Sequence, residues 1–324
     1  MFLHSVAVQS QTPGADGIFT HDLAVNPLSV VLLVLRPLND TGTLASYAGY
    51  LGIAQAVNRA TILHRGEAIV SMSGLDIAAM AYHRYGIVPM LPSGSNVNNE
   101  RAAVILPIIL GKFPYDVQSC FPASKRGELI IELDLDIADT GYDALTYSIE
   151  TIELLDIKPK EYERKVTTVQ TLAAVGDNDI DIPPGNLFRG FLCFGTTGWS
   201  GATPAPTLGR LSILRDNQQV AFSSTDFEVA LMLSQLYGRQ SPVIDGHKHG
   251  TTVDGNAQTS VPTLGLPFDV GLGWQQFCYL DCDPTRDDRH AIETKGASRL
   301  AVRTLAEAAN LVRVVPVERI LVPQ

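Results

Sequence analysis

The residue types able to do chemistry sit in four places. His247-Lys248-His249 sets two imidazoles at i and i+2, which on an extended strand face one side and can share a metal ion. Asp281, Asp283, Asp287 and Asp288 put four carboxylates within eight residues, hard oxygen ligands of the kind calcium takes. Cys278 and Cys282 lie four apart on an expected strand and so share a face. Trp199 and Trp274 are the two tryptophans on which a sugar ring could stack.

Each place also has a plainer reading. The H-x-H pair is the geometry of cupin enzymes, small double-stranded β-barrels, and suggests a bicupin-type metal-dependent enzyme as the alternative function. That pattern also needs a glutamate four or five residues on. Here Thr251, Thr252, Val253 and Asp254 follow, and the next histidine is His290. Asp245 to Asn256 reads as a polar loop, which makes His247 and His249 exposed loop residues. The acidic run lacks the central glycine and closing glutamate of an EF-hand, so Asp281 to Asp288 reads as a solvated turn after a strand. Cys278 and Cys282 read as small core hydrophobes. Aromatic content is 7%, thin for a carbohydrate groove. Neither a G-x-x-x-x-G-K-[ST] loop, a strand-linked G-x-G-x-x-G nor a G-x-S-x-G elbow occurs. No catalytic, cofactor-binding or metal-ligating residue is assigned.

The bulk composition narrows the class. With 324 residues the chain has room for about two domains of roughly 150 residues. Hydrophobic residues make up 45% and charged residues 18%, enough apolar matter for a sizeable core. No apolar run approaches the ~18 residues of a spanning helix, and Met1 to Ser5 shows no basic secretion-signal start. A net charge of −10 repels phosphate, so sequence-specific nucleic-acid binding is not expected. Four cysteines are too few for a disulfide framework and suggest folding in a reducing compartment.

The elements that would position these residues are mostly strands. Leu28 to Leu35, Ala103 to Leu110, Glu128 to Ile137, Thr146 to Leu155, Leu187 to Phe194, Gln276 to Cys282 and Leu311 to Leu321 carry the apolar runs. Glu128 to Ile137 alternates like a strand wet on one face, whereas Leu28 to Leu35 is apolar throughout and reads as buried on both. Turn clusters rich in glycine, proline, asparagine and aspartate separate them. Helical spacing appears in Ser73 to Gly86 and Thr225 to Gly238. Each opens on a hydroxyl residue with a carboxylate three positions later, a capping box, and each closes on glycine. A third helix is expected within Ser298 to Asn310.

The two capped helices belong to an internal repeat. At an offset of 152, Ser73 pairs with Thr225, Asp76 with Glu228, Ile77 with Val229, Met80 with Met232, Tyr85 with Tyr237 and Gly86 with Gly238. Upstream, Arg59 to Leu63 pairs with Arg210 to Leu214. Downstream, Leu106-Pro107-Ile108 is matched with Leu266-Pro267-Phe268, and Leu133 to Asp136 with Tyr279 to Asp283. A repeat of this length is domain-sized. The expected organisation is an arm over residues 1–19, one β-module over 20–158 and a second over 159–324.

This organisation resembles the double jelly-roll major capsid proteins of tailless icosahedral viruses, nearest in look to those of bacteriophages with an internal membrane. The resemblance rests on Arg59 to Gly86 with Leu106-Pro107, and Arg210 to Gly238 with Leu266-Pro267-Phe268, and extends over most of residues 20 to 322. It implies an all-β fold of two tandem eight-stranded jelly rolls with a few short helices, homotrimers that form pseudo-hexagonal capsomers, and a structural, non-enzymatic role. It implies neighbouring trimers, a vertex protein and an internal lipid membrane as partners, no cofactor, and a place in the virion capsid after assembly in the host cytoplasm. Pro89 to Glu100 and Gln240 to Thr263 correspond to insertions that crown the outer face. Met1 to Ala15 is expected as an extended arm that orders against neighbours or the membrane side.

Overall fold

The computed structural model describes residues 1–39, 50–87, 100–101, 103–137, 144–196, 207–237 and 276–323. The first half runs β1 (Phe2–Gln11), β2 (Gly17–Asp22), β3 (Leu28–Asn39), α1 (Tyr50–Gln55), β4 (Val57–His64), β5 (Glu67–Met72), α2 (Gly74–Tyr85), β6 (Glu100–Arg101), β7 (Val104–Ile109), β8 (Leu129–Leu135) and β9 (Ala144–Leu154). The second runs β10 (Glu161–Val166), β11 (Thr168–Thr171), β12 (Gly176–Ile182), β13 (Leu187–Gly195), β14 (Arg210–Arg215), β15 (Gln218–Asp226), α3 (Phe227–Tyr237), β16 (Phe277–Asp281), β17 (Ile292–Glu293), β18 (Leu300–Ala306) and β19 (Leu311–Leu321).

Hydrogen-bond order shows one topology twice. In the first half β1-β9-β3-β7 packs against β2-β8-β4-β5. In the second, β10 and β11 share the place of β1, giving β10/β11-β19-β13-β16 against β12-β18-β14-β15. Each half is a jelly roll, and the fold is all-β with two of them in tandem. Both interiors are apolar: Val31, Leu33, Leu35, Leu106, Ile131, Leu133 and Tyr147 in the first, Phe188, Phe191, Ile213, Val302 and Val314 in the second. The halves are also joined by backbone. Lys165 and Val166 of β10 pair in parallel with Val70 and Ser71 of β5, so one ten-stranded sheet runs through both.

Periodicity accounts for most strands. β8 alternates between buried and half-buried positions, as the second half of its sequence does, and β3 is almost wholly buried. The helix α2 forms as its caps dictate. Ser73 Oγ accepts the Asp76 N–H at 3.1 Å, the Asp76 carboxylate accepts the Ser73 N–H, and Gly86 ends the helix in a left-handed conformation (φ 66°).

Four expectations need correction. Phe2–Gln11 is no free arm. It is a ten-residue edge strand paired with β9, and β2 likewise joins β8. Water reaches almost every residue of this edge, which carries no Asp, Glu, Lys or Arg. Thr225 does not begin the second helix; it still pairs with Leu211 in the sheet, and α3 starts at Phe227. Residues 298–310 hold strand β18, because Leu300, Val302 and Thr304 alternate into the core between β12 and β14. Leu133 to Asp136 therefore does not correspond to Tyr279 to Asp283: Tyr279 lies in β16, the counterpart of β7, and the counterpart of β8 is β18. Leu266 to Phe268, Gly238 and both proposed crown insertions, apart from Glu100, lie outside the described residues.

Replacing Ser73 by alanine removes an acceptor from the first turn of α2 and should cost about 1 kcal/mol, read as a lower midpoint in urea at unchanged slope.

Candidate functional site at the junction of the two halves

The densest chemistry in the chain is a buried ionic cluster where the halves meet. In β10, Glu161, Glu163 and Lys165 stand at alternate positions and therefore share a face. Glu163 and Lys165 have almost no contact with water. An isolated carboxylate there would be prohibitively costly, so cations surround it. Arg84, from the last turn of α2, bonds the Glu163 carboxylate and the Tyr279 hydroxyl. Arg189 of β13 donates to Glu163 at 3.2 Å, and Lys165 Nζ lies 2.9 Å away. The Tyr85 hydroxyl donates to Glu163 at 3.2 Å, and Lys165 also donates to Ile109 O.

The acidic turn closes the outer side of this cluster. Asp288 takes two hydrogen bonds from Arg189, at 2.7 and 3.0 Å, and further ones from Lys112 at 3.2 Å and Arg319 at 3.1 Å. Asp281 pairs with Arg286 at 3.0 Å, and the buried Asp283 accepts the Asp288 N–H. The carboxylates read from sequence as calcium ligands or as a solvated turn are thus compensated by the chain's own guanidinium and ammonium groups. A second bridge crosses the junction nearby. Arg313 of β19 donates to Asp76 at 2.9 and 3.2 Å while stacking 3.8 Å above the Phe194 ring. Gly190 of β13 sits under Tyr279 so tightly that a Cβ there would collide with the ring's hydroxyl end.

Electrostatics follow from this packing. Burial alone would raise Glu163, but Arg84, Lys165 and Arg189 outweigh it and hold the carboxyl down at about 2. For Asp288 the desolvation is likewise overcome, by hydrogen bonds and charge from Arg189 and Lys112, and its value falls well below the usual carboxylate range. Burial raises Asp283 and, in α2, lowers His83 to about 3. The thiols of Cys278 and Cys282 are pushed up by burial and are protonated, as core residues should be.

The other sequence candidates are not brought together. His247, His249, Trp199 and Trp274 lie outside the described residues. Cys278 and Cys282 sit in the core of the second half, with Cys278 opposite Cys193. Among the described residues no group of three or more His, Cys, Asp or Glu has metal-binding geometry. Sequence reading missed Arg84, Glu163, Lys165 and Arg189. A signal existed: a lone arginine in the apolar run Leu187 to Phe194, and charges alternating along Glu161 to Lys165.

Solved structures share this fold. The STIV major capsid protein superposes with a TM-score of 0.67 at 10% identity, covering 99% of this chain and 97% of its own. The major capsid protein of bacteriophage PM2 gives 0.64 at 8% identity, with 100% and 99% covered. A chain of the PBCV-1 virus capsid gives 0.55 at 8%, with 98% and 94% covered. No protein-family model and no curated protein sequence matches the chain. At such identities the likeness is one of fold, and it extends end to end: this chain has the double jelly-roll architecture that those capsid proteins have.

Glu163→Gln removes the charge that compensates three buried cations and should destabilise the protein by roughly 3–5 kcal/mol, measured by denaturant unfolding. Acid should loosen the junction in a defined sense. His83 and Glu163 both have folded values below their ordinary 6.5 and 4.5, so the stability they contribute is complete above those values and lost as pH falls toward about 3 and about 2. Asp283, raised by burial, works in the opposite sense. The thermal midpoint should therefore decline below about pH 6.5 and more steeply below about 4.5; a constant or rising midpoint between pH 7 and 4 would contradict the assignment.

Proposed function

We propose that the chain is a structural shell protein: a major capsid protein whose homotrimers form pseudo-hexagonal capsomers that tile an icosahedral virion. The observation that carries this reading is the duplication itself. Two jelly rolls of equal strand order are fixed side by side, so one polypeptide presents two near-equivalent walls, and three polypeptides present six. The halves divide near Lys158, just before β10 opens the second. The fold likeness to the STIV, PM2 and PBCV-1 capsid proteins supports the same role.

Such a protein works by geometry and self-recognition, and no catalytic, cofactor or metal-binding role is assigned to any residue. Its partners in this reading are further copies of itself, other shell components such as a vertex protein, and a lipid membrane beneath the shell. It resides in the virion after assembly in the host cytoplasm. The net charge of −10 fits a wall that does not bind nucleic acid directly.

Light scattering coupled to gel filtration should give three times 35.0 kDa, and negative-stain images should show hexagonal outlines. A monomer or dimer at every concentration would remove the capsomer reading.

A further inference from the structure

The junction inside the chain is made of two complementary surfaces, and the repeat supplies a second copy of each among the described residues. On one side of the junction lies the unit β5–α2. On the other lies the outer face of the sheet β10/β11-β19-β13-β16. The repeat predicts that β15–α3 copies the first surface and β1-β9-β3-β7 copies the second.

Exposure at matched positions follows this pattern. In α2, Ile77 and Met80 are 0% and 3% exposed, packed in a cluster that includes Leu192, Phe194, Phe277 and Tyr279 of the second half. Their repeat partners in α3, Val229 and Met232, are 43% and 54% exposed. The outer strands of the sheets show the same contrast. Phe2 opposes Leu154 as Glu161 opposes Leu321, so Val6 matches Lys165. Ile105 pairs with Val34 and Val34 with Ser148, as Tyr279 pairs with Leu192 and Leu192 with Val315. Ser148 and Val315 stand equally far from the ends of β9 and β19, so Ile105 matches Tyr279. Lys165 and Tyr279 are each 1% exposed, whereas Val6 and Ile105 are 56% and 46% exposed. Val6 and Ile105, on the two outer strands of this sheet, are therefore bare, while Val34 and Ser148 on the strands between them are 5% and 4% exposed within the chain.

Charge completes the match. Within the chain, Asp76 of α2 meets Arg313 of β19. The repeat partner of Asp76 is Glu228, exposed in the first turn of α3. The residue matching Arg313 is Thr146, and the strand position beside it, occupied in the second half by Phe194, holds Arg36. Acid and base are thus retained, with the arginine moved one strand over.

We propose that α3 of one copy docks on the outer face of the β1-β9-β3-β7 sheet of a second copy, repeating between chains the contact that α2 makes within one. Val229 and Met232 cover Val6 and Ile105, and Glu228 pairs with Arg36. The contact is head-to-tail: each copy gives one helix and one sheet, which closes a ring rather than a twofold dimer. Side chains make it, because β15 is bulged at the level where β5 pairs with β10. This proposal rests on the capsomer reading and specifies the surface through which copies meet.

The test is charge exchange on full-length protein, with assembly measured by sedimentation equilibrium. Glu228→Arg and Arg36→Glu should each weaken the trimer by on the order of a hundredfold through like-charge contact, and the double variant should recover most of it. Assembly of either single variant at wild-type strength, or a double variant no better than the singles, overturns the docking mode and leaves the trimer itself standing. A wild-type chain that never assembles overturns both readings. Hydrogen exchange checks the surface without mutation: on assembly, amides of α3 and of β1 should gain protection together, and protection confined to other strands would reject the proposal.

Discussion

The structure depends on a carboxylate that water does not reach. Glu163 is tolerable only because Arg84, Lys165 and Arg189 come to it from a helix of the first half and two strands of the second. Each cation is in turn held by another group: Arg84 by Tyr279, Arg189 by Asp288, Lys165 by Ile109 O. Sliding one half past the other by a few ångströms would strand charges of both signs. Buried ion clusters add modestly to net stability because desolvation consumes most of the attraction. As a constraint on position they act sharply, since hydrophobic contact alone would accept many docking angles.

The strand pairing between β5 and β10 and the ionic cluster divide the work. The backbone pair sets the height of one jelly roll against the other, and the charges set the rotation about that pair. Gly190 belongs to the same logic, because the Tyr279 ring can approach β13 only where no Cβ intervenes, and Tyr279 then orients Arg84. The duplicated topology is thereby converted into a fixed angle between two walls, which is the property a tiling unit needs.

Much of the fold was legible because jelly-roll strands advertise themselves through burial. Leu28 to Leu35 and Glu128 to Ile137 carry opposite apolar patterns and take the buried and half-wet places those patterns imply. The failures share a cause. Phe2–Gln11 mixes apolar and polar residues without a period of two, so its pairing with β9 is dictated by a neighbour and not by its own periodicity. Leu300 to Ala306 fits either a helix or a strand, and partners on both sides decide it. The junction was the least legible part. A lone arginine in β13 or a Glu-x-Glu-x-Lys run reads as ordinary surface until a second element 79 residues away, carrying Arg84, closes over it.

The two versions of the contact differ in a way that folding explains. Inside one chain the junction forms as the protein folds, when Arg84, Glu163 and Lys165 can lose water together. A contact between finished chains has no such opportunity, for each partner must stay soluble alone without a buried, uncompensated charge. The repeat respects this difference. His4 stands where the second half has Glu163, and Val6 where it has Lys165. The sheet face of the proposed contact thus carries Val6 in place of the buried Lys165, and its His4 lies 2.8 Å from Glu150. The α3 surface on which the proposal rests stays in water in the single chain, while the charged, sealed junction keeps the two halves of each polypeptide at one angle.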